Sequence, residues 1–263
     1  MTMINICYIG RCCMRLYITF NFSSPITLPL NYQQILQGFI YNQIDDVAFS
    51  RFLHEEGYSD GKRSFKMFTF SRLQGKATIN SKNKTITFKE KVEWQISSCL
   101  SKFIQSLGQS ILMKDSLYIN NHRVVVEELH YKATNVGDRK CSIRMISPIT
   151  VHSTFEGSDG KKTTHYYNPW DHAFNHLINE NIAHKYAAYY GEQLDSRVNI
   201  KPIKVNERDK IVTRFKDFII EAWNGEYELR GDPKILTFAC TTGIGAKNSQ
   251  GFGLPEILTK WRR

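Results

Sequence analysis

The sequence predicts an α+β fold made of two similar units in tandem. An alternating apolar run opens each half of the chain, at residues 14–20 and again at 141–147. In each half a helical periodicity follows that run, then two extended stretches, a second helix and a last strand. A polar stretch at 132–140 separates the halves. The order β-α-β-β-α-β is that of a ferredoxin-like (RRM-like) domain, an antiparallel sheet with helices on one face. The expected units are therefore 14–131 and 141–263, joined by a linker at 132–140.

Within the first unit, the run beginning at Met14 places Leu16, Ile18 and Phe20 on one face of a strand. Residues 1–13 precede it without periodicity and read as an appended extension or a misassigned start, with Met14 as the alternative initiator. After Pro25 and Pro29, Ile35, Phe39 and Ile40 recur at helical spacing within 32–44, and a second short helix covers 47–55 before Gly57. Stretches 67–73, 85–88 and 91–97 are rich in Phe, Thr, Ile and Val and read as strands. Residues 99–107 read as a helix ended by Gly108, and 123–130 as a strand.

The second unit opens with a strand at 141–147 and a polar hairpin through Gly157 and Gly160. Pro169 and Asp171 start a helix over 171–190 that Gly191 closes. Strands at 198–205 and 215–229, a helix over 232–241 and a strand at 254–258 complete the order.

Composition narrows the class of partner. Lys and Arg number 35 against 25 Asp and Glu, a net charge of +10, in a chain with 41% hydrophobic residues. That balance favours a polyanion. Thirteen Tyr, sixteen Phe and four Trp add rings on which RNA bases stack, although most such rings belong to the core. The six cysteines show no CxxC pair and no zinc spacing, which suits buried thiols in a reducing cytoplasm. No window of about 18 apolar residues occurs, so no membrane partner is expected, and Arg11 and Arg15 interrupt any secretion signal.

Four glycines fall within the eleven residues from Gly243 to Gly253. A dinucleotide loop would need a helix and an acidic partner about 20 residues on, and only Leu254 to Arg263 remain. Lys247 is followed by Asn248, so the phosphate loop of nucleotide hydrolases is absent too. Two readings stay open: exposed amides and a cation offered to a phosphate backbone, or a tight turn between elements.

The loop reads Gly-x-Gly-x-x-Asn-x-x-Gly-Phe-Gly. With it stand Gly38-Phe39-Ile40-Tyr41, Leu53-His54-Glu55-Glu56-Gly57-Tyr58, the run Lys66 to Leu73, and Ser147-Pro148-Ile149. Together, over Met14 to Arg263, they resemble the CRISPR-associated endoribonucleases that process repeat RNA, the sixth-numbered Cas proteins of the RAMP superfamily. The resemblance implies a metal-independent enzyme without cofactors that cuts within each repeat of a precursor transcript and releases guide RNAs. It implies repeat RNA as partner, and leaves open other Cas proteins of an interference complex and a second copy of the chain. It also implies Tyr41, His54 and Lys66 as catalytic residues.

Those residue types suit the chemistry. RNA carries its own nucleophile, so a ribonuclease must move a proton from the 2′-OH, supply one to the 5′-oxygen, and stabilise the charge between. Histidine titrates near neutrality and serves either proton role, assigning His54 as general acid or base. Lys66 would stabilise charge on the phosphate oxygens. Tyr41 would position the 2′-OH, or act as a partner base if its pKa were lowered. The expected products are a 2′,3′-cyclic phosphate and a 5′-hydroxyl.

Expected RNA contacts are Gly243, Gly245, Lys247, Asn248, Ser249, Gly251 and Gly253 in the loop, with Arg72 and Arg144 outside it. Among the other histidines, His172 and His176 stand at i, i+4 but lack a third ligand at a convincing spacing, so a helix face is expected there and no metal. A non-catalytic RAMP subunit that binds repeat RNA is the alternative, told apart by His54 with Lys66.

Overall fold

The computed structural model describes residues 13–156, 160–216 and 218–258. The expected extension, apart from Cys13, lies outside these residues. Strand β1 (Met14–Asn21) buries Leu16, Ile18 and Phe20 as its alternation requires. It is followed by β2 (Ile26–Pro29), α1 (Gln33–Asn42) and α2 (Val47–Arg51), whose first turn Asp46 caps through the Phe49 amide at 3.0 Å. A π-helical turn, Phe52–Glu56, continues α2 and closes with Gly57 N donating to Phe52 O. Then come the hairpin β3 (Tyr58–Asp60) and β4 (Arg63–Phe65), followed by β5 (Phe68–Phe70), β6 (Ala77–Asn80), β7 (Thr85–Phe88) and β8 (Val92–Ser98). Helix α3 (Ser101–Met113), β9 (Leu117–Ile119) and β10 (His122–Ala133) end the first unit.

The second unit contains β11 (Lys140–Met145), β12 (His152–Glu156), β13 (Lys162–Tyr166) and α4 (His172–Tyr190). After these come β14 (Asn199–Lys204), the hairpin β15 (Lys210–Phe215) and β16 (Phe218–Trp223), β17 (Glu226–Arg230), α5 (Pro233–Thr242) and β18 (Pro255–Leu258).

The two main sheets have one topology. The first runs β5-β8-β1-β10-β9 and the second β14-β17-β11-β18, with antiparallel neighbours throughout. In both, the first strand of the unit lies between its third and fourth, and the second lies outside the third. The molecule is thus two tandem ferredoxin-like domains, as the sequence predicts. Among the described residues no helix is long and apolar enough to cross a membrane.

Two expected boundaries are wrong. The strand expected at 215–229 is broken, since β16 ends at Trp223, Gly225 turns the chain with a φ of 105° and β17 starts at Glu226. Gly108 does not end α3, which continues to Met113. A Cβ at Gly108 would meet the Tyr131 hydroxyl of β10, so the glycine leaves room for that ring to lie against the helix. Its propensity cost of about 1 kcal/mol is outweighed by burial of Ile104, Leu107 and Ile111 on the same helix.

The domains are joined by buried polar contacts. The Arg15 guanidinium, 4% exposed, donates from β1 to Pro255 O at 2.8 Å and Cys240 O at 3.4 Å in the second domain. Thr69 Oγ1 donates to Phe252 O at 2.9 Å and Gln37 Nε2 to Ser249 O at 2.7 Å. Both of the latter bonds reach the glycine cluster, which therefore sits at the domain joint.

Candidate functional site

Tyr41 occupies the last turn of α1, half-buried, with its ring edge-on to His54 at 5.2 Å between centroids and to Phe68 at 6.0 Å. His54 comes from the π turn, which buries Leu53 and leaves His54 exposed. The two rings border a surface notch of about 310 Å³ that Asn42, Ser50 and Arg51 also line. Burial pushes the Tyr41 phenol up to about 12, so near neutrality it keeps its proton and is a donor. The partner-base role allowed for Tyr41 requires the opposite shift.

Lys66 follows the β3–β4 hairpin and does not line that notch. It lines a cavity of about 440 Å³ between the domains, together with Arg63, His152, Lys185, Lys247 and Ser249. Partial burial draws its ammonium down, opposed by the charge of Glu56 on the π turn that carries His54. Phe68 connects the places, since it lines the cavity and contacts the Tyr41 ring. The structure thus brings Tyr41 and His54 together and sets Lys66 on the adjoining cationic wall.

The glycine cluster is held in place from within the fold. Its core is held by Lys185, 3% exposed on α4, whose ammonium donates to Gly243 O at 2.7 Å, Gly245 O at 3.4 Å and Asn248 Oδ1 at 2.6 Å. Burial draws Lys185 down to about 7, while the three acceptors favour its charged form. Asn248 is 8% exposed and its side chain donates to Phe252 O at 3.0 Å, turned inward, while the residue also borders the cavity that Lys66 lines. The amides of Gly251 and Gly253 are taken by Asn248 O and Pro148 O. A Cβ at Gly251 would lie 2.6 Å from the Phe70 ring, so this glycine lets the loop close against the first domain. Lys247 and Ser249 remain on the cavity wall.

Two expected RNA contacts lie elsewhere. Arg144 is on the exposed face of β11, paired with Glu226 at 3.0 Å. Arg72 is half-buried, and desolvation draws its guanidinium down from its ordinary value, opposed by the Tyr32 phenol. His176 pairs with Glu180 at 3.5 Å on α4, and among the described residues no three His, Cys, Asp or Glu side chains converge as metal ligands. Lys185 was missed by sequence reasoning, yet a signal exists: it shares the buried face of α4 with Phe174, Ile178 and Ile182 at helical spacing. Asn181 and Gln250, which also line this cavity, carry no comparable signal.

Comparison with known proteins agrees with this architecture. Residues 27–130 match the family described as CRISPR-associated protein Cas6, N-terminal, and residues 130–257 match CRISPR associated protein Cas6, C-terminal. The CRISPR-associated endoribonuclease Cas6 1 of Methanocaldococcus jannaschii is 27% identical over 248 residues, 92% of this chain and 91% of that protein. A solved structure titled CRISPR associated protein Cas6 superposes with a TM-score of 0.76 at 26% identity, covering 94% of this chain and 100% of the other. A second, from a Cas6-related gene of Pyrococcus furiosus, shares the fold with a TM-score of 0.81 at 20% identity, covering 95% and 100%. With adjoining N- and C-terminal family matches over a duplicated ferredoxin-like fold, the chain belongs to the Cas6 family.

Proposed function

We propose that the protein is a metal-independent endoribonuclease that cleaves CRISPR precursor RNA within its repeats. The observation that carries this is the pairing of Tyr41 with His54, their rings 5.2 Å apart, at a surface notch beside a cationic cavity. The substrate's 2′-oxygen attacks the adjacent phosphorus, the bond from phosphorus to the 5′-oxygen breaks, and the products carry a 2′,3′-cyclic phosphate and a 5′-hydroxyl. His54 exchanges the proton with the 2′- or 5′-oxygen. Tyr41, held protonated by burial, donates a hydrogen bond that orients the reacting ribose. Lys66 places positive charge near the phosphate oxygens. Lys247, Ser249 and Arg63 on the cavity wall hold the flanking backbone.

The test is incubation of the full chain with CRISPR repeat RNA in excess EDTA, with the product ends analysed by mass spectrometry. Cleavage at one position in the repeat, with cyclic phosphate and 5′-hydroxyl ends, is expected. Cutting that needs an added divalent metal would contradict the mechanism. Tight binding without any cutting would favour the non-catalytic RNA-binding subunit.

A further inference from the structure

The β3–β4 hairpin that precedes Lys66 belongs to neither main sheet. Its strands pair only Tyr58 with Phe65, Ser59 with Ser64 and Asp60 with Arg63, and a two-stranded hairpin so short does not hold itself in place. Its position comes from what it touches. On one side it lies on the π turn that carries His54, where Ser64 Oγ donates to Glu56 O and the Tyr58 ring meets Phe52 edge-on at 5.4 Å. On the other it lies on α4 of the second domain. There Asp60 Oδ2 accepts from His184 Nδ1 at 2.6 Å, and Tyr58 meets Tyr189 edge-on at 5.7 Å.

Lys66 depends on both supports. A Cβ at Gly57, which ends the π turn with a φ of 71°, would lie 2.6 Å from Phe65 O and 2.9 Å from Lys66 Cδ, so the end of the hairpin and the lysine stem lie against that glycine. Beyond Lys66, Met67 takes a left-handed φ of 57° and its carbonyl accepts from Ser98 Oγ of β8 at 2.7 Å. Lys66 is thus the residue at which the hairpin joins the first sheet, and a shift of the hairpin is felt there first. Resting on the catalytic reading of Lys66 above, we infer that Asp60 and His184 are positioning residues for cleavage: their bond across the domain joint pins the hairpin to α4 and so sets where the Lys66 ammonium stands. Both side chains are half-buried. An imidazole Nδ1–H donates to a carboxylate whether the ring is neutral or charged, and hydrogen bonds to an ionised group are short and strong. Helix α4 is a firm anchor, since it buries Phe174, Ile178 and Ile182, and the residue after His184 is the Lys185 that bonds the glycine cluster. Neither Asp60 nor His184 lines the notch of Tyr41 and His54 or the cavity of Lys66, so both act through Lys66 and not on the substrate.

The test is single-turnover cleavage of CRISPR repeat RNA by the full chain at saturating protein, with RNA affinity measured on the same variants. Asp60→Ala is expected to slow cleavage by about tenfold and to change Kd by less than about twofold, because displacing a catalytic group acts on the rate and not on binding. Asp60→Asn keeps an oxygen acceptor for His184 and should cut within about threefold of the native rate. In a Lys66→Ala background, which is itself slow and has no ammonium left to place, Asp60→Ala should cost less than about a further twofold. A merely structural role predicts the same loss with and without Lys66. That result, or a native rate in Asp60→Ala, would overturn the inference while leaving the reading of Lys66 intact. Lys66→Ala cutting at the native rate, or a native chain that binds the repeat without cutting it, would overturn both. If Asp60→Ala does not fold, His184→Ala is read by the same criteria.

Discussion

Replacing His54 with alanine is expected to slow cleavage of repeat RNA by about 10²–10⁴-fold, the range for loss of a positioned acid or base, with little change in RNA affinity. His54 is exposed on the π turn, and its described ring contact is with Tyr41 at 5.2 Å. Truncation should therefore cost at most about 1 kcal/mol of stability, the scale of one ring pair. Single-turnover cleavage and equilibrium binding on the same variant separate the two effects. Tyr41→Phe keeps the packing against Phe68 and loses only the hydroxyl, so a smaller loss of rate is expected with native stability. Full activity in His54→Ala would move the proton-transfer role to another residue.

Lys185→Met is expected to destabilise the fold by about 3 kcal/mol and to weaken RNA binding as well. Methionine preserves the buried face of α4 but leaves Gly243 O, Gly245 O and Asn248 Oδ1 without the ammonium that joins them. Each buried acceptor stripped of its partner costs about 1–3 kcal/mol. Lys247 lies on the loop those atoms hold, so loosening it should blunt the cationic wall. Urea denaturation and binding measure the two losses, and unchanged stability would show that the loop holds without Lys185.

The same side chain sets a pH dependence. Its folded pKa, about 7, lies below the ordinary 10.5. Between those values the unfolded chain binds more protons, so stability rises with pH over that window and falls as pH drops toward 7. Lys185→Met should lack that slope.

The duplicated topology was legible because each domain repeats one pattern at core positions. Leu16, Ile18 and Phe20 alternate on β1, and α4 ends where Gly191 adopts a left-handed φ of 74°. Short strands at the surface were not. β6 is exposed at all four positions and β3 at its centre, so neither shows the alternation that marks a half-buried strand. Gly108 misled because its local propensity is weaker than the burial of Ile104, Leu107 and Ile111 on the same helix.

The site was legible in residue type and less so in geometry. Spacings of 13 and 12 residues along the chain from Tyr41 to His54 to Lys66 cannot tell that the first two share a notch while the third lines the next cavity. The glycine cluster was legible as a place needing unusual backbone. Its inward-facing Asn248 depends on a lysine 63 residues away, a contact that no local pattern encodes. Arg144 shows the converse difficulty, since a basic residue on a strand gives no sign of a cross-strand partner such as Glu226.

The proposed mechanism needs the 2′-hydroxyl as nucleophile, and the direct measurement is cleavage of a repeat RNA carrying one 2′-deoxy sugar at the scissile nucleotide. The protein should bind this substrate as tightly as the all-ribose repeat and leave it uncut at that bond. Cleavage of the deoxy substrate at the same bond would contradict the mechanism assigned to Tyr41, His54 and Lys66.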